Sequence, residues 1–361
     1  MNKTLLALAV TAAAIGTQAN AVEIYNKEGT TAKIGGHATV AFQSNEQGSK
    51  SGQIVQNEKS PRVNLEVTTE LGNGVTADVK GEWAINMENG GGNTFTTRLG
   101  YIGLTHEKAG RVALGTQWSQ YYMAAGVVDQ PIAWSNGFLY NNHGALGTAR
   151  ADRLASYSNS LDFGDAGTLN FGLGWQGASE FTSNVVSDDK TATGVKYDAS
   201  NRAQGSLGYS IAGFNVNYAY VGGDVKETTG TTATKKAQSH LVSAKYGNFG
   251  SGLYVAATYA DNENMNGGLV GEGLVAETKA FDSLVAYGLD NGLNLIVKHE
   301  EMKDEVKGLR MNSATSLQAE YTITPRFRAF TGYKFDNQGE GVYKEAKARN
   351  NEFLIGGRFY L

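Results

Sequence analysis

Along most of this chain apolar and polar residues alternate in short runs broken by Gly, Asn and Asp. In SPRVNLEVTTEL, Val63, Leu65 and Val67 point one way while Arg62, Asn64, Glu66 and Thr68 point the other, since successive side chains of a strand face opposite sides. A short turn, Leu71–Gly74, leads into VTADVKGEWAIN, where Val75, Ala77, Val79 and Trp83 oppose Thr76, Asp78, Lys80 and Glu82. The first strand is looser, with Ile34, Thr39 and Ala41 set against Lys33, His37 and Ala38 around a Gly-Gly pair. The last run, NNEFLIGGRFYL, sorts Phe353, Ile355, Gly357, Phe359 and Leu361 onto one face and Leu354, Gly356, Arg358 and Tyr360 onto the other.

A strand face carrying Arg, Glu, Asp and Lys cannot be buried in a dry core. It faces either outside water, as in a soluble secreted β protein, or the wet lumen of a membrane barrel. The connections favour the barrel. Short turns fall at Gly72–Gly74, Lys108–Gly110, Gly164–Gly167, Ala212–Gly213, Asn248–Gly250, Asp290–Gly292 and Thr324–Pro325. They alternate with longer polar stretches near 44–59, 87–94, 118–149, 177–201, 222–237, 261–276, 303–310 and 337–349. Short turns at one end and long loops at the other characterise outer-membrane barrels. Seven short and eight long connections make fifteen, hence sixteen strands, a size that leaves an aqueous channel. Aromatics near strand ends (Tyr121, Trp175, Tyr209, Tyr218, Tyr259, Tyr321, Tyr333) are candidates for interfacial girdles.

Composition narrows the picture. Residues 1–21 read as a secretory signal peptide: Lys3, an apolar run from Leu5 to Ile15, and a small-residue site at Ala19–Ala21. The mature barrel is then 22–361, which is 361 − 21 = 340 residues. There is no cysteine, so disulfides play no part. A formal net charge of −4 gives no basic footprint for nucleic acid.

One stretch breaks the alternation, WSQYYMAAGVVDQPIAWSNGFLYNNHGALGTA at 118–149. It contains Trp118, Tyr121, Tyr122, Trp134 and Tyr140 with a single acid, Asp129, and is too aromatic to be disordered. The five histidines (His37, His106, His143, His240, His299) are scattered, and no HExxH or GxSxG occurs, which speaks against an enzyme. No metal-ligand set or cofactor motif is apparent; the paired acids Asp188–Asp189 and Glu300–Glu301 sit in or near loops, exposed to solvent or to lipopolysaccharide.

The opening VEIYNKEG, the run TTRLGYIGL and the arginine after the long third loop resemble the trimeric general diffusion porins of Gram-negative outer membranes, with enterobacterial and Pasteurellaceae-type members nearest in character. The resemblance implies an all-β, 16-stranded antiparallel transmembrane β-barrel with an inward-folded third external loop. It implies passive diffusion of small hydrophilic solutes and ions past a charged constriction. Carried over by matching runs, Arg62 comes from SPRVNLE, Arg98 from TTRLGYIGL and Arg150 from RADRLASYSNS; Arg153 joins them if that strand starts late. His37 takes the first strand's basic position and Asp129 the loop acid's. Where enterobacterial relatives read Pro-Glu-Phe-Gly-Gly, this chain has Pro131-Ile132-Ala133-Trp134, and Leu361 replaces their terminal Phe. Three or four arginines against one loop acid imply a weak anion preference or near-neutral selectivity. Two alternatives stay open: a saccharide-selective porin using Trp118, Tyr121, Tyr122 and Trp134, and a surface adhesin or phage receptor. The implied partners are two further copies of the chain, outer-membrane lipid and lipopolysaccharide, and periplasmic and barrel-assembly factors. The second loop (87–94) would reach a neighbouring copy.

Overall fold

The computed structural model describes residues 21–46, 53–55, 61–87, 95–134, 137–183, 194–228, 233–269, 271–337 and 350–361. The expected signal peptide, up to residue 20, lies outside them, as do Asp188–Asp189 and most of the second loop. The wall begins with β1 Thr30–Asn45, β2 Arg62–Gly72, β3 Val75–Ile85, β4 Phe95–His106, β5 Gly110–Trp118 and β6 Arg150–Asp162. It continues with β7 Thr168–Gln176, β8 Lys196–Ile211, β9 Phe214–Glu227, β10 Thr234–Asn248 and β11 Ser251–Glu263. It finishes with β12 Glu277–Gly288, β13 Leu293–Asp304, β14 Leu309–Thr324, β15 Phe327–Asp336 and β16 Glu352–Tyr360.

Three further segments extend these strands. Gln53–Val55 continues β2 along β1, and Ser179–Thr182 continues β7 along β8. Val22–Lys27 continues β16, because it pairs with the part of β1 just below the point where β16 stops. Nineteen strand segments less three extensions give sixteen wall strands, each antiparallel to the next. β16 pairs with β1 from Glu352 opposite Asn45 to Tyr360 opposite His37, which closes the barrel. Closure removes the open sheet edge that hydrocarbon does not tolerate.

The alternation read from the sequence is the alternation of the wall. Leu173, Val216, Ile102 and Leu114 project outward, exposed to between 58% and 63%. The other face of the wall carries polar, small or charged residues, as with Asn64 on β2 and Lys80 and Glu82 on β3. The last strand follows its expected parity, with Phe353, Ile355 and Phe359 outward and Leu354, Arg358 and Tyr360 inward. In the first strand the grouping differs: His37, Thr39 and Ala41 share the inner face, while Val40 and Phe42 face outward. The period of two runs unbroken through the Gly-Gly pair, with Gly35 inside and Ile34 outside; the grouping of Ile34 with Thr39 and Ala41 had mixed odd and even positions.

Short turns at Glu28–Gly29, Asn73–Gly74 and Ala212–Gly213 each carry two consecutive positive φ values, the twist that two-residue hairpins favour. Several connections expected to be long are shorter. β9 runs on to Glu227 and β10 starts at Thr234, while the stretch after β13 is a tight turn around 305–308. These strands extend to where both faces are polar, so alternation no longer marks them. Glu300 and Glu301 lie in β13, near its loop end. The expected girdle aromatics Trp175, Tyr209, Tyr218, Tyr259 and Tyr321 are exposed, but Tyr121 is fully buried in the third loop.

Candidate functional site

The third loop leaves β5 at Trp118 and returns at Arg150, with its neck closed by the Ser119 amide donating to the Ala149 carbonyl at 2.8 Å. Ser119 caps the short helix α1, Gln120–Ala125, by accepting from the Tyr122 amide at 3.0 Å. A 3-10 turn at Gly126–Val128 follows, then a second at Phe138–Tyr140 and the single-turn helix α2, His143–Leu146. Small and apolar residues on α1 let it lie close to the wall. Tyr121, Ala124 and Ala125 join Val221, Leu241 and Ala260 of β9 to β11 in one apolar cluster.

Inward-facing wall groups hold the loop along its length. The Tyr121 hydroxyl donates to Ser239 Oγ at 2.7 Å, and Ser239 in turn donates to Asn262 at 2.6 Å. Ser243 donates to the Ala124 carbonyl at 2.8 Å and Tyr254 to the Val127 carbonyl at 2.6 Å. Farther on, Glu320 accepts from the Ile132 amide at 2.7 Å, and Gln318 Nε2 donates to the Trp134 carbonyl at 3.2 Å. Trp134 packs with Ala41, Phe330 and Leu354. Gly332 makes room for it, since a Cβ there would stand 2.7 Å from the indole. The sixth connection also turns in: Met265, Leu274 and Val275 join the apolar cluster, and Asn142 donates to the Met265 carbonyl at 3.1 Å. The third loop is therefore not alone in folding back.

The opposite part of the wall keeps its charges. Glu82 of β3 accepts from Arg98 Nε at 2.7 Å and lies 3.5 Å from Arg62 Nη1. Lys80 pairs with Glu66 at 3.3 Å. Arg62 lies within electrostatic reach of Arg98, Arg150 and Arg358. Arg358 is buried and donates through Nε to Thr39 Oγ1 at 2.8 Å; Thr39 also contacts His37 Nδ1 at 2.9 Å. His37 packs edge-on to Tyr360 at 6.0 Å.

Of the residues expected at a constriction, Arg62, Arg98, Arg150 and His37 thus belong to one group on adjoining strands. Arg153 stands apart: it has a positive φ of 54°, is exposed, and donates to the Ala178 carbonyl. Leu154 and Ser156 carry the inner parity beyond it. Asp129 accepts from the hydroxyls of Tyr122 at 2.6 Å and Tyr140 at 2.5 Å. Burial first, and then the Asp129 charge, push both phenols well above the ordinary tyrosine range. Trp118 stacks on Tyr122 at 4.1 Å, and the Arg150 guanidinium lies 5.8 Å from the ring centres of both Trp118 and Tyr140. Arg150 and Asp129 therefore share Tyr140. Of the four loop aromatics singled out in the sequence, Tyr121, Tyr122 and Trp134 are buried and only Trp118 is half-buried.

Arg358, Tyr140 and His143 were not expected here. Arg358 already lay on the inner parity of the terminal strand, so alternation alone could have flagged it. Glu82 appeared in the sequence as an ordinary strand charge; only register shows that it bridges two arginines.

A closed sixteen-stranded barrel with an apolar outside and a charged inside defines the class of bacterial outer-membrane channels. The chain matches a family model described as Gram-negative porin over residues 4–341, and it belongs to that family. It is similar to outer membrane protein S2 of Salmonella typhi, 25% identical over 394 residues that cover 100% of both chains. Outer membrane porin F of Salmonella typhimurium (strain LT2) is 24% identical, covering 100% of this chain and 99% of that one. Among solved structures, Salmonella typhi OmpF in complex with daunomycin has a TM-score of 0.73 at 19% identity, covering 94% of this chain and 100% of its own. The anion-selective porin from Comamonas acidovorans has a TM-score of 0.66 at 16% identity, covering 92% and 100%. The protein is an outer-membrane porin, a channel for passive diffusion and not an enzyme.

Proposed function

We propose that the third loop and the arginine-bearing wall form the constriction of this channel, and that small hydrophilic solutes and ions pass it with a preference for anions. The observation that carries this is the charge count around Arg62. Arg62, Arg98, Arg150 and Arg358 bring four positive charges against the one carboxylate of Glu82, so 4 − 1 = 3 positive charges stay uncompensated there. Arginine stays charged at any working pH, and rings of one sign set ion preference. Asp129, the loop acid, accepts both phenol hydroxyls at Oδ2, which ties its charge to the loop. The likeness to a porin described as anion-selective is consistent with this reading.

The test is single-channel conductance and reversal potential in a salt gradient with Arg62, Arg98 and Arg150 neutralised one at a time. Each variant is expected to lose anion preference. Strong cation selectivity in the parent channel, or three silent variants, would refute the placement. The saccharide reading is weaker, because most of the loop aromatics pack against other groups instead of lining a path. We read the assembly as a homotrimer set in outer-membrane lipid and lipopolysaccharide. A trimer form is described for OmpT of Vibrio cholerae, a fold neighbour at TM-score 0.60 and 18% identity.

A further inference from the structure

His143 opens helix α2 and points at Arg150. Its Nε2 lies 3.1 Å from Arg150 Nη2, and its Nδ1 lies 2.9 Å from the Tyr140 carbonyl oxygen. A guanidinium only donates, so Nε2 must offer a lone pair; a carbonyl only accepts, so Nδ1 must carry the proton. The two contacts together select one neutral tautomer. The imidazole also packs edge-on against Tyr140 at 5.5 Å, on the ring that Arg150 overlies. Arg150 Nη1 is buried with no hydrogen bond among the described residues, so His143 and two aromatic rings set the orientation of that guanidinium.

We infer that His143 is a further selectivity-determining residue of the channel: while neutral it holds Arg150 against the loop rings, and once protonated it releases that guanidinium and adds a positive charge of its own. This rests on the constriction reading above. An imidazolium has no lone pair for Nε2 to offer, and it would face a like charge at the same spacing. The groups facing His143 or lining its cavity come from four elements: Tyr140 in the loop, Arg150, Asp152 and Arg153 on β6, Arg98 on β4, and Glu180 on the extension of β7. Tyr140, His143, Asp152 and Glu180 line a common cavity of about 540 Å³, which gives water a route to the imidazole. Asp152 favours the charged ring, while Arg150 and Arg98 oppose it. Burial first, then Arg150, hold the His143 pKa below the ordinary imidazole value.

The direction follows. Above its pKa His143 is neutral and the loop holds Arg150; as pH falls through it, positive charge appears beside the lumen and anion preference rises. Reversal potentials of the reconstituted channel, measured in a KCl gradient from about pH 7.5 down to about pH 5, test it. The parent channel should show a two- to threefold rise in the anion-to-cation permeability ratio, roughly the effect of one added charge, with a midpoint below about 6.5. In a His37→Gln background, which removes the other imidazole of the arginine group, His143→Gln keeps a polar side chain that does not titrate and should be flat until carboxylates protonate near pH 4 to 5, roughly their ordinary range. Arg150→Gln should move the midpoint upward, a displacement that a merely structural histidine would not produce. A flat parent profile, or a His143→Gln channel that keeps the rise in that background, overturns the proposal. If neutralising Arg62, Arg98 and Arg150 leaves selectivity unchanged at neutral pH while the acid rise still depends on His143, the constriction reading fails and the titration of His143 stands.

Discussion

Replacing Glu82 by glutamine keeps the side chain's shape and removes the carboxylate that Arg62 and Arg98 share. Both arginines donate to the Glu82 side chain, which is only 8% exposed, so the charge is lost close to the guanidiniums and not diluted at a surface. The uncompensated charge around Arg62 rises from three to four by the count above. An ion passing about 6 Å from that position in water feels a change of about 0.7 kcal/mol by Coulomb's law. In about 0.1 M salt, where the Debye length is about 10 Å, screening cuts this to about 0.4 kcal/mol. Local concentration then changes about twofold for each sign, and the anion-to-cation ratio about fourfold. In about 0.01 M salt the Debye length is about 30 Å, the change is about 0.6 kcal/mol, and the ratio shifts about sevenfold. Reversal potentials at the two salt concentrations measure both numbers. Arg98→Gln should move selectivity the other way by a similar factor. A Glu82→Gln channel that is unchanged at low salt, or shifted toward cations, would mean that this cluster does not face the ion path.

Two other outcomes follow from the packing of the loop. Gly332→Val places carbon where the Trp134 indole sits, with the Leu317 carbonyl only 3.0 Å from the new Cβ and closing off retreat. Overpacking of this kind costs about 1–3 kcal/mol, and the unseated loop should give a red-shifted tryptophan emission and noisier open-channel current; an unchanged spectrum and current would disprove the contact. Oligosaccharides should pass or be excluded without sub-millisecond current blockades, because the loop aromatics are packed against other groups. Blockades abolished by Trp118→Ala would revive the saccharide reading.

Much of the wall was legible before any coordinates. Strand alternation depends on the neighbours of each residue, and the requirement that one face meet lipid and the other water is imposed at nearly every position. Arg62 and Arg98 fall on the inner face by alternation as well as by resemblance. Counting failed where the backbone departs from a regular strand. The irregular start of β6, where Arg153 has a positive φ, left Arg153 outside the cluster. It also failed above the bilayer, where both faces of a strand are polar and β9 and β10 passed for loop.

The loop shows where local information ends. Residues 118–149 announced themselves by broken alternation and aromatic content, and Ser119 by its place before a helical turn. Nothing in their order says that Tyr121 meets Ser239, more than a hundred residues away, or that Asp129 is held by Tyr122 and Tyr140. Those contacts exist because closing the sheet brings distant strands around one lumen. The chain by itself determined a lipid-facing, water-lined barrel of sixteen strands, because that follows from a period of two and the count of turns. Tertiary structure alone decided which charges stand together: Glu82 between two arginines, Arg358 of the last strand beside His37 of the first, and His143 against Arg150. Register and closure, not sequence proximity, set those distances, and electrostatic effects at a constriction depend on distance.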